Sequence, residues 1–532
     1  MGKRLLAVTT VSALASLLSF GQENDPPTRA ARLSFLSGTV SLEPAGVEDW
    51  IPAPLNRPLT TGDRLWTENG ARAEMHIGSA AFRLNGHTNF AFMNLDDRTA
   101  QVQISVGSLS IRLRKLADDE TVEIDTPQVA FSLLRPGEYR VEVNEQGNAT
   151  IVTVRAGEGE STAGGEAFTI HPREQVRITS AGTDGARPTY DRGPMPPGDP
   201  FDNWCQERDR REDMSQSAKY VSREMPGYSD LDGAGVWRED PTYGAMWVPS
   251  RVAVGWAPYH DGHWAWVAPW GWTWVDDAPW GYAPFHYGRW MFVAGQWGWI
   301  PGPIAARPVY APAMVAWVGG ARFRAALSIG GGGGAGVAVG WFPLGVGEVW
   351  VPSYHASPAY FNRANVSNTI VNNVTVTNVY NNTVVNKTVI NTTYVNQHVT
   401  GAVTAVPQSA MVSGRPVAQA AVRVPPSAVE NAQVQQTSMV APERTAVLGG
   451  RAAGAVAPPA AALNRPVIAR VTPPPPAVSF AQQRTALMDN PGQPVTPAEL
   501  SKVQRSAPTT QTQPLIRSAG VPLPSRAQSS AS

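Results

Sequence analysis

The stretch Val102-Gln103-Ile104-Ser105-Val106-Gly107-Ser108-Leu109-Ser110-Ile111-Arg112-Leu113-Arg114 alternates aliphatic and polar residues on both sides of a glycine. A period of two places the aliphatics on one face of a pleated strand and the polar residues on the other. The stretch therefore reads as a half-buried strand, a turn at Gly107-Ser108 and a second strand. The same alternation recurs every 8 to 12 residues between Arg29 and Thr179, with turn residues between the runs. Ala73, Met75 and Ile77 alternate with Glu74 and His76, and Tyr139, Val141 and Val143 pair with Ile151 to Val154 across a turn at Gly147. Helical periodicity is absent here, so residues 29–182 read as an antiparallel β-sandwich or roll. This module is mildly acidic, with 15 basic and 20 acidic residues.

The whole chain has 532 residues, enough for three or four domains of about 150 residues each. Its 43 Lys and Arg balance 43 Asp and Glu, which argues against a dedicated nucleic-acid binder. The single cysteine, Cys205, excludes an internal disulfide and any multi-thiolate metal centre. Residues 1–21 open with Lys3 and Arg4, run apolar from Leu5 to Phe20 and end in small residues, the pattern of a secretory signal peptide. That apolar run is shorter than the roughly 20 residues of a spanning helix, and no later segment supplies one. The expectation is an exported protein without a transmembrane span, soluble or surface-associated.

Beyond the first module the composition changes in blocks. Residues 183–235 read as a linker with one exposed helix, Asn203 to Met225, capped by Asp202 and stopped by Pro226-Gly227. Cys205 at its start reads as a half-buried packing residue. Residues 236–355 hold 15 of the 18 tryptophans and repeat internally. Tyr259-His260-Asp261-Gly262-His263-Trp264 with Trp270-Gly271-Trp272 recurs 26 or 27 residues later as Phe285-His286-Tyr287-Gly288-Arg289-Trp290 with Trp297-Gly298-Trp299. A repeat of this length is one hairpin reused, and each copy needs the others to bury its apolar face. Residues 356–400 are rich in Asn, Val and Thr and read as an extended tract. Residues 401–532, rich in Pro, Ala and Gln with 11 basic and 4 acidic residues, read as a disordered basic tail. The fold class is mainly β: a sandwich or roll, a Trp/Gly-rich β-repeat domain and a long tail.

Catalysis needs a nucleophile, a base and an orienting group that converge. The sequence offers no nucleophile elbow and no phosphate loop, and Gly330 to Gly334 lacks the Lys and Ser or Thr that complete one. Asp230-Leu231-Asp232-Gly233 places its glycine too early for a calcium loop. His260, His263 and His286 form the candidate metal set, since imidazole with Asp261 suits zinc or copper. Arg289 stands where the second repeat would need the counterpart of His263, however, so no metal and no cofactor is expected. The indoles are the better ligand-binding candidates, because flat faces and an N–H donor suit sugar rings and cations. Most belong in the core; Trp264, Trp272, Trp290 and Trp299 are the candidates for contact with a ligand.

Arg57-Pro58-Leu59-Thr60-Thr61-Gly62-Asp63-Arg64-Leu65-Trp66-Thr67 with Ala71-Arg72-Ala73-Glu74 resembles the core motif of FecR-type domains, and Ile124-Asp125-Thr126-Pro127 and Pro136-Gly137-Glu138-Tyr139 continue it. The Trp-rich block, with Trp270-Gly271-Trp272-Thr273-Trp274-Val275 and Ala283-Pro284-Phe285-His286-Tyr287-Gly288-Arg289-Trp290, is similar to a bacterial domain of unknown function often found after FecR-like domains. The resemblance implies a periplasmic β module. In that family the module relays an outer-membrane signal through a membrane helix to a sigma-factor-binding segment. This chain lacks both features, so only the module and its exported setting carry over. The sequence thus points to a non-catalytic envelope protein that binds, senses or scaffolds, with an envelope protein as partner. The alternative is a cell-wall or surface-polysaccharide binder that uses exposed indoles.

Overall fold

A computed structural model describes residues 25–180, 188–321, 337–386, 393–430, 432–506 and 516–520, together with 323, 325 and 327. Residues 1–21, read above as a signal peptide, and the run Gly330 to Gly334 lie outside the described residues.

The stretch that decides the fold is one strand, Thr99–Leu113, with no turn at Gly107. Its first half belongs to one sheet and its second half to another. Ala100 to Val106 pair with Thr88–Leu95, and Gly107 to Leu113 pair with Gly137–Val143. Gly107 makes the crossing possible. Its φ is +97°, and a Cβ there would lie 2.3 Å from Thr88 Oγ1 and 2.5 Å from the His87 carbonyl oxygen. A glycine within an alternating run was therefore a bend shared by two sheets rather than a hairpin.

One sheet runs, in spatial order, through Pro58–Leu59, Ala31–Ser37, Arg72–Ile77, Ala80–Leu84, the end of Thr99–Leu113, Gly137–Val143, Ala149–Ala156, Glu174–Ser180 and Pro188–Pro194. The other runs through Ile51–Pro52, Val40–Glu43, Arg64–Thr67, Thr88–Leu95, the start of Thr99–Leu113, Thr121–Asp125, Ala130–Leu133, Gly159–Ala163 and Glu166–Ile170. All pairs are antiparallel except Thr121–Asp125, which runs parallel to Thr99–Leu113. Tyr139, Val141 and Val143 pair with Val154, Val152 and Thr150, as the alternation predicts. Met75, Phe82, Ile111, Val141 and Val152 from one sheet and Phe90, Val102, Ile104, Ile124 and Phe131 from the other are fully buried.

The linker helix is shorter than expected and is not an exposed one. It spans Pro200–Asp213 (α1), and its cap is Asp199, whose carboxylate accepts from the Asp202 amide while the Asp202 carboxylate accepts from Asp199 in return. Phe201, Cys205, Asp209 and Glu212 are buried, because the polar face of the first sheet is charged and α1 lies on it with charges of the opposite sign.

In the Trp-rich block both copies of the repeat are hairpins, Gly262–Val267 with Gly271–Asp276 and Arg289–Val293 with Gln296–Ile300. The second joins Gly235–Asp240 and Gly244–Pro249 in a four-stranded sheet. A further hairpin, Val315–Gly319 with Ala338–Pro343, gains a strand on each edge from the tail, Gln433–Gln435 and Thr404–Pro407.

The Asn-rich tract is helical where it is described, not extended. Pro358–Val366 and Asn373–Val379 begin at the caps Ser357 and Asn372, and these local bonds outweigh the strand preference of Val and Thr. Its asparagines bind backbone: the Asn365 amide donates to Trp350 and Phe361 carbonyls, and the Asn368 amide to Val309 and Ala364. Where it is described, the tail alternates short helices and strands with irregular stretches, and it is laid along the modules rather than free of them. The Gly454 and Ala455 amides donate to the Trp50 carbonyl, Ile468 to Thr126 and Phe480 to Gly46, while Arg470 and Val471 amides reach the Glu123 carboxylate. Short helices at Gln408–Val412, Val417–Ala420 and Arg444–Val447 pack on strand Gly262–Val267.

Gly107→Ala should destabilise the protein by about 3 kcal/mol, because strain from the positive φ adds to a backbone clash. Gly70→Ala, also at positive φ (+74°) but with open space around the added methyl, should cost only about 1 kcal/mol. Urea unfolding of the two variants measures the difference; equal losses would show that the crossing tolerates a side chain.

Candidate functional site

The four indoles expected to meet a ligand are core residues. Trp264 and Trp290 are 1 % exposed, Trp272 4 % and Trp299 0 %. Each hairpin is too small to bury its own rings, so the apolar faces close on one another. Trp264 packs on Trp317 (4.6 Å between centroids), Trp341 (5.2 Å) and Trp274 (5.5 Å), mostly edge to face. Three of the four indole donors are also engaged, Trp272 Nε1 with the Val440 carbonyl, Trp290 with Pro284 and Trp299 with Tyr287, while Trp264 Nε1 is buried without a partner. In the whole block only Trp237 and Trp256 are less than fully buried. A shallow cleft does open beside this core, lined by Trp272, Trp317, Trp350, Ser353, Gln436 and Ser438. Trp317 and Trp350 lie outside the repeated hairpins, so the repeat did not single them out.

The three histidines of the candidate metal set do not converge. His260 is partly exposed and bonded to Asp261 (2.8 Å). His286 is fully buried with Nδ1 donating to the Ala311 carbonyl (2.8 Å), and burial pushes its pKa down to about 3. His263 is buried in strand Gly262–Val267; burial, with Arg451 and Arg57 adding to it, lowers its pKa to about 3. Asp230 and Asp232, which do not form a calcium loop, serve the fold. Asp230 pairs with Arg32, and Asp232 accepts from the Gln216 and Ser217 amides.

Among the described residues, the imidazole and carboxylates at metal-ligand spacing are Glu74, His76 and Glu212, with ligand atoms within 4.8 Å of one another. Glu74 and His76 alternate with Met75 on the outer face of strand Arg72–Ile77, and Glu212 descends on them from α1. Guanidinium groups fill the places a metal would need. Glu74 accepts from Arg83 Nε (2.7 Å) and from Arg208 Nη2 (2.5 Å) and Nε (3.0 Å). Glu212 binds His76 Nε2 (2.6 Å) through one oxygen and Arg114 (2.8 Å) through the other. Every carboxylate oxygen already has a cationic donor, so the set does not fit a metal ion and is a buried ion network.

The titration shifts agree with this assignment. Burial alone would raise the Glu212 carboxyl, but His76 and Arg114 outweigh it and bring the pKa down to about 2. Burial opposes a charged Glu74 as well, and His76, Arg208 and Arg83 hold it well below its ordinary range. Burial would lower the His76 imidazole, yet Glu212 and Glu74 raise it above 6.5. Sequence reasoning missed this cluster. The signal present was a Glu and a His two residues apart on a strand's polar face, together with the charged run Glu207 to Asp213.

Comparison with known proteins identifies residues 228–348 as a match to a family of unknown function (DUF6600). No curated protein matches the chain. Two crystal structures of a proposed anti-sigma factor from Parabacteroides distasonis ATCC 8503 show weak similarity. One is 13% identical over 25% of this chain and 59% of that one, the other 10% identical over 35% and 99%, both with a TM-score of 0.22. This chain thus spans less than two thirds of the first.

The ion network sets a pH window. Stability from the depressed Glu212 is present above its ordinary 4.5 and is lost as pH falls towards about 2. Stability from the raised His76 is present below 6.5 and is lost as pH climbs through its folded value. The loss caused by Glu212→Gln, about 3 kcal/mol where the network is intact, should therefore be largest between about pH 4.5 and 6.5 and shrink on both sides. Urea midpoints across pH measure it, and a loss independent of pH would contradict the network.

Proposed function

We propose that the protein is a non-catalytic bacterial envelope factor, exported by its N-terminal segment, in which residues 29–182 act as a FecR-like module for binding, sensing or scaffolding. The observation that carries this reading is the joint between modules, which ties them together through hydrogen bonds. Arg32 of the first module binds Asp230 and the Pro279 carbonyl, and the Asn56 amide donates to the carbonyls of Asp276 and Ala278 in the Trp-rich block. The Tyr310 amide donates to Thr28, and Ser357 binds Asp25 through both its amide and its hydroxyl. A scaffold transmits position through such contacts.

The chemistry available supports the same reading. The Cys205 thiol, raised to about 11 by burial, is a poor nucleophile. The titratable groups with the largest shifts are locked in ion pairs or buried neutral. No helix among the described residues is long and apolar enough to cross a membrane. A second reading, polysaccharide binding, rests on the cleft at Trp272, Trp317 and Trp350, whose rings sit beside the polar Ser353, Gln436 and Ser438.

Cell fractionation with and without residues 2–21 tests the setting: the intact chain should appear in the envelope or medium fractions and the shortened one in the cytoplasm. Recovery of the intact chain from the cytoplasm sinks the proposal. Co-sedimentation with purified sacculi decides between the readings. Pelleting that Trp350→Ala abolishes favours the polysaccharide reading, whereas a protein left in the supernatant favours the scaffold.

A further inference from the structure

Strand register places two rows of mostly polar side chains on the outer face of the sheet that holds Thr121–Asp125. Residues paired across neighbouring strands point the same way. Gln101, Glu123, Ser132 and Glu160 therefore form one row, and Gln103, Asp125, Ala130 and Thr162 the next. Val102, Ile104, Val122, Ile124 and Phe131 alternate with them and go to the core. A polar face of this kind belongs to water, yet Gln101, Glu123 and Asp125 are 0 % exposed. What covers them is the tail.

Residues 465–471 lie on this face as an extended segment. The Ile468 amide donates to the Thr126 carbonyl, so the segment adds one antiparallel bridge to the sheet. The Arg470 and Val471 amides donate to Glu123 Oε1 (2.9 and 3.0 Å), and the Val471 carbonyl accepts from Gln101 Nε2 (2.7 Å). The Arg470 guanidinium binds Glu160, and that of Arg465 donates to the Ser105 and Glu145 carbonyls. Gly147 keeps the slot for Arg465 open, since a Cβ there would lie 2.2 Å from Arg465 Cζ. Pro466 and the run Pro473 to Pro476 hold the segment extended before it docks, which lowers the cost of ordering it. Backbone hydrogen bonds along a sheet with side-chain anchors at intervals are the contacts of peptide recognition. The match is incomplete, however. The tail engages the first row, but in the second Gln103 Oε1, Asp125 Oδ1 and Thr162 Oγ1 are buried without a partner. Each orphan weakens the cover, because the water it lost is not replaced.

We propose that this face is a docking surface for an extended, arginine-bearing peptide, and that residues 465–471 occupy it in cis until a segment in trans displaces them. The orphaned acceptors set what a displacing segment brings: a donor for Gln103 and Asp125 besides the arginine for Glu160. The acids Glu123, Asp125 and Glu160 select a basic segment over an acidic one. The inference rests on the reading of residues 29–182 as a binding module. It concerns occupancy of one face and not export, so peptide binding and cell fractionation can fail separately.

Fluorescence anisotropy of a labelled synthetic peptide, Leu463 to Thr472, with the full chain tests the proposal. The tethered tail competes at a high effective concentration, so the parent should bind the peptide weakly. The full chain carrying Arg465→Ala and Arg470→Ala should bind it at least tenfold more tightly, because its own tail no longer holds the face. Adding Glu123→Ala should abolish that gain, and a peptide with both arginines replaced by alanine should bind neither chain. If the doubly substituted chain does not fold, hydrogen exchange in the parent stands in. Excess isotope-labelled peptide should then speed exchange at the chain's own Ile468, Arg470 and Val471 amides. Equal peptide affinity in the parent and the doubly substituted chain, or tail amides whose exchange the peptide leaves unchanged, would overturn the assignment.

Discussion

Edge-to-face contact between indoles is the interaction on which the middle of this molecule depends. A hairpin of a dozen residues cannot enclose a core, and the two copies of the repeat are each that size. Large rigid rings solve the problem, because Trp264 and Trp274 of one hairpin and Trp317 and Trp341 of another still touch. Two of their polar edges find acceptors, Trp341 Nε1 the Tyr259 carbonyl and Trp274 Nε1 the Asp276 carboxylate, while Trp264 Nε1 is buried without one. The rings that make the block conspicuous in sequence are therefore consumed in its own assembly, and little aromatic surface is left over.

Charge performs the equivalent task on the first module. The outer face of its first sheet carries Glu74, His76, Arg83, Arg112 and Arg114, and α1 answers with Arg208, Asp209, Glu212 and Asp213. Such a contact contributes less net stability than apolar packing of equal size, but it fixes register, since a slip along the helix would leave buried ions without partners.

The β class, the sandwich and the repeated hairpin were legible because period-two alternation and a 26- or 27-residue echo are local signals. What could not be read depends on distant partners. Gly107 has the sequence context of a turn, and only the neighbouring Thr88 and His87 show it to be a crossing. The segment Glu207 to Asp213 reads as solvated until the complementary sheet face is placed beneath it. The indoles named for ligand contact were expected to face solvent, and the closing of the hairpins on one another is what buries them.

The attachment of Arg470 and Val471 to Glu123 joins residues 347 and 348 positions apart. Glu123 lies beside a second buried acid, Asp125, whose pKa burial and Glu123 itself raise well above the ordinary range. The acidic pair lies far upstream of the amides that serve it, so the first module reaches its final hydrogen-bonded state only after the segment around Arg470 and Val471 has been made. Closure across such a span is an intrinsically slow event. Maturation of the sandwich is thereby linked to a segment synthesised long after it, and a product ending before Arg470 would leave the Glu123 oxygen without those two amides.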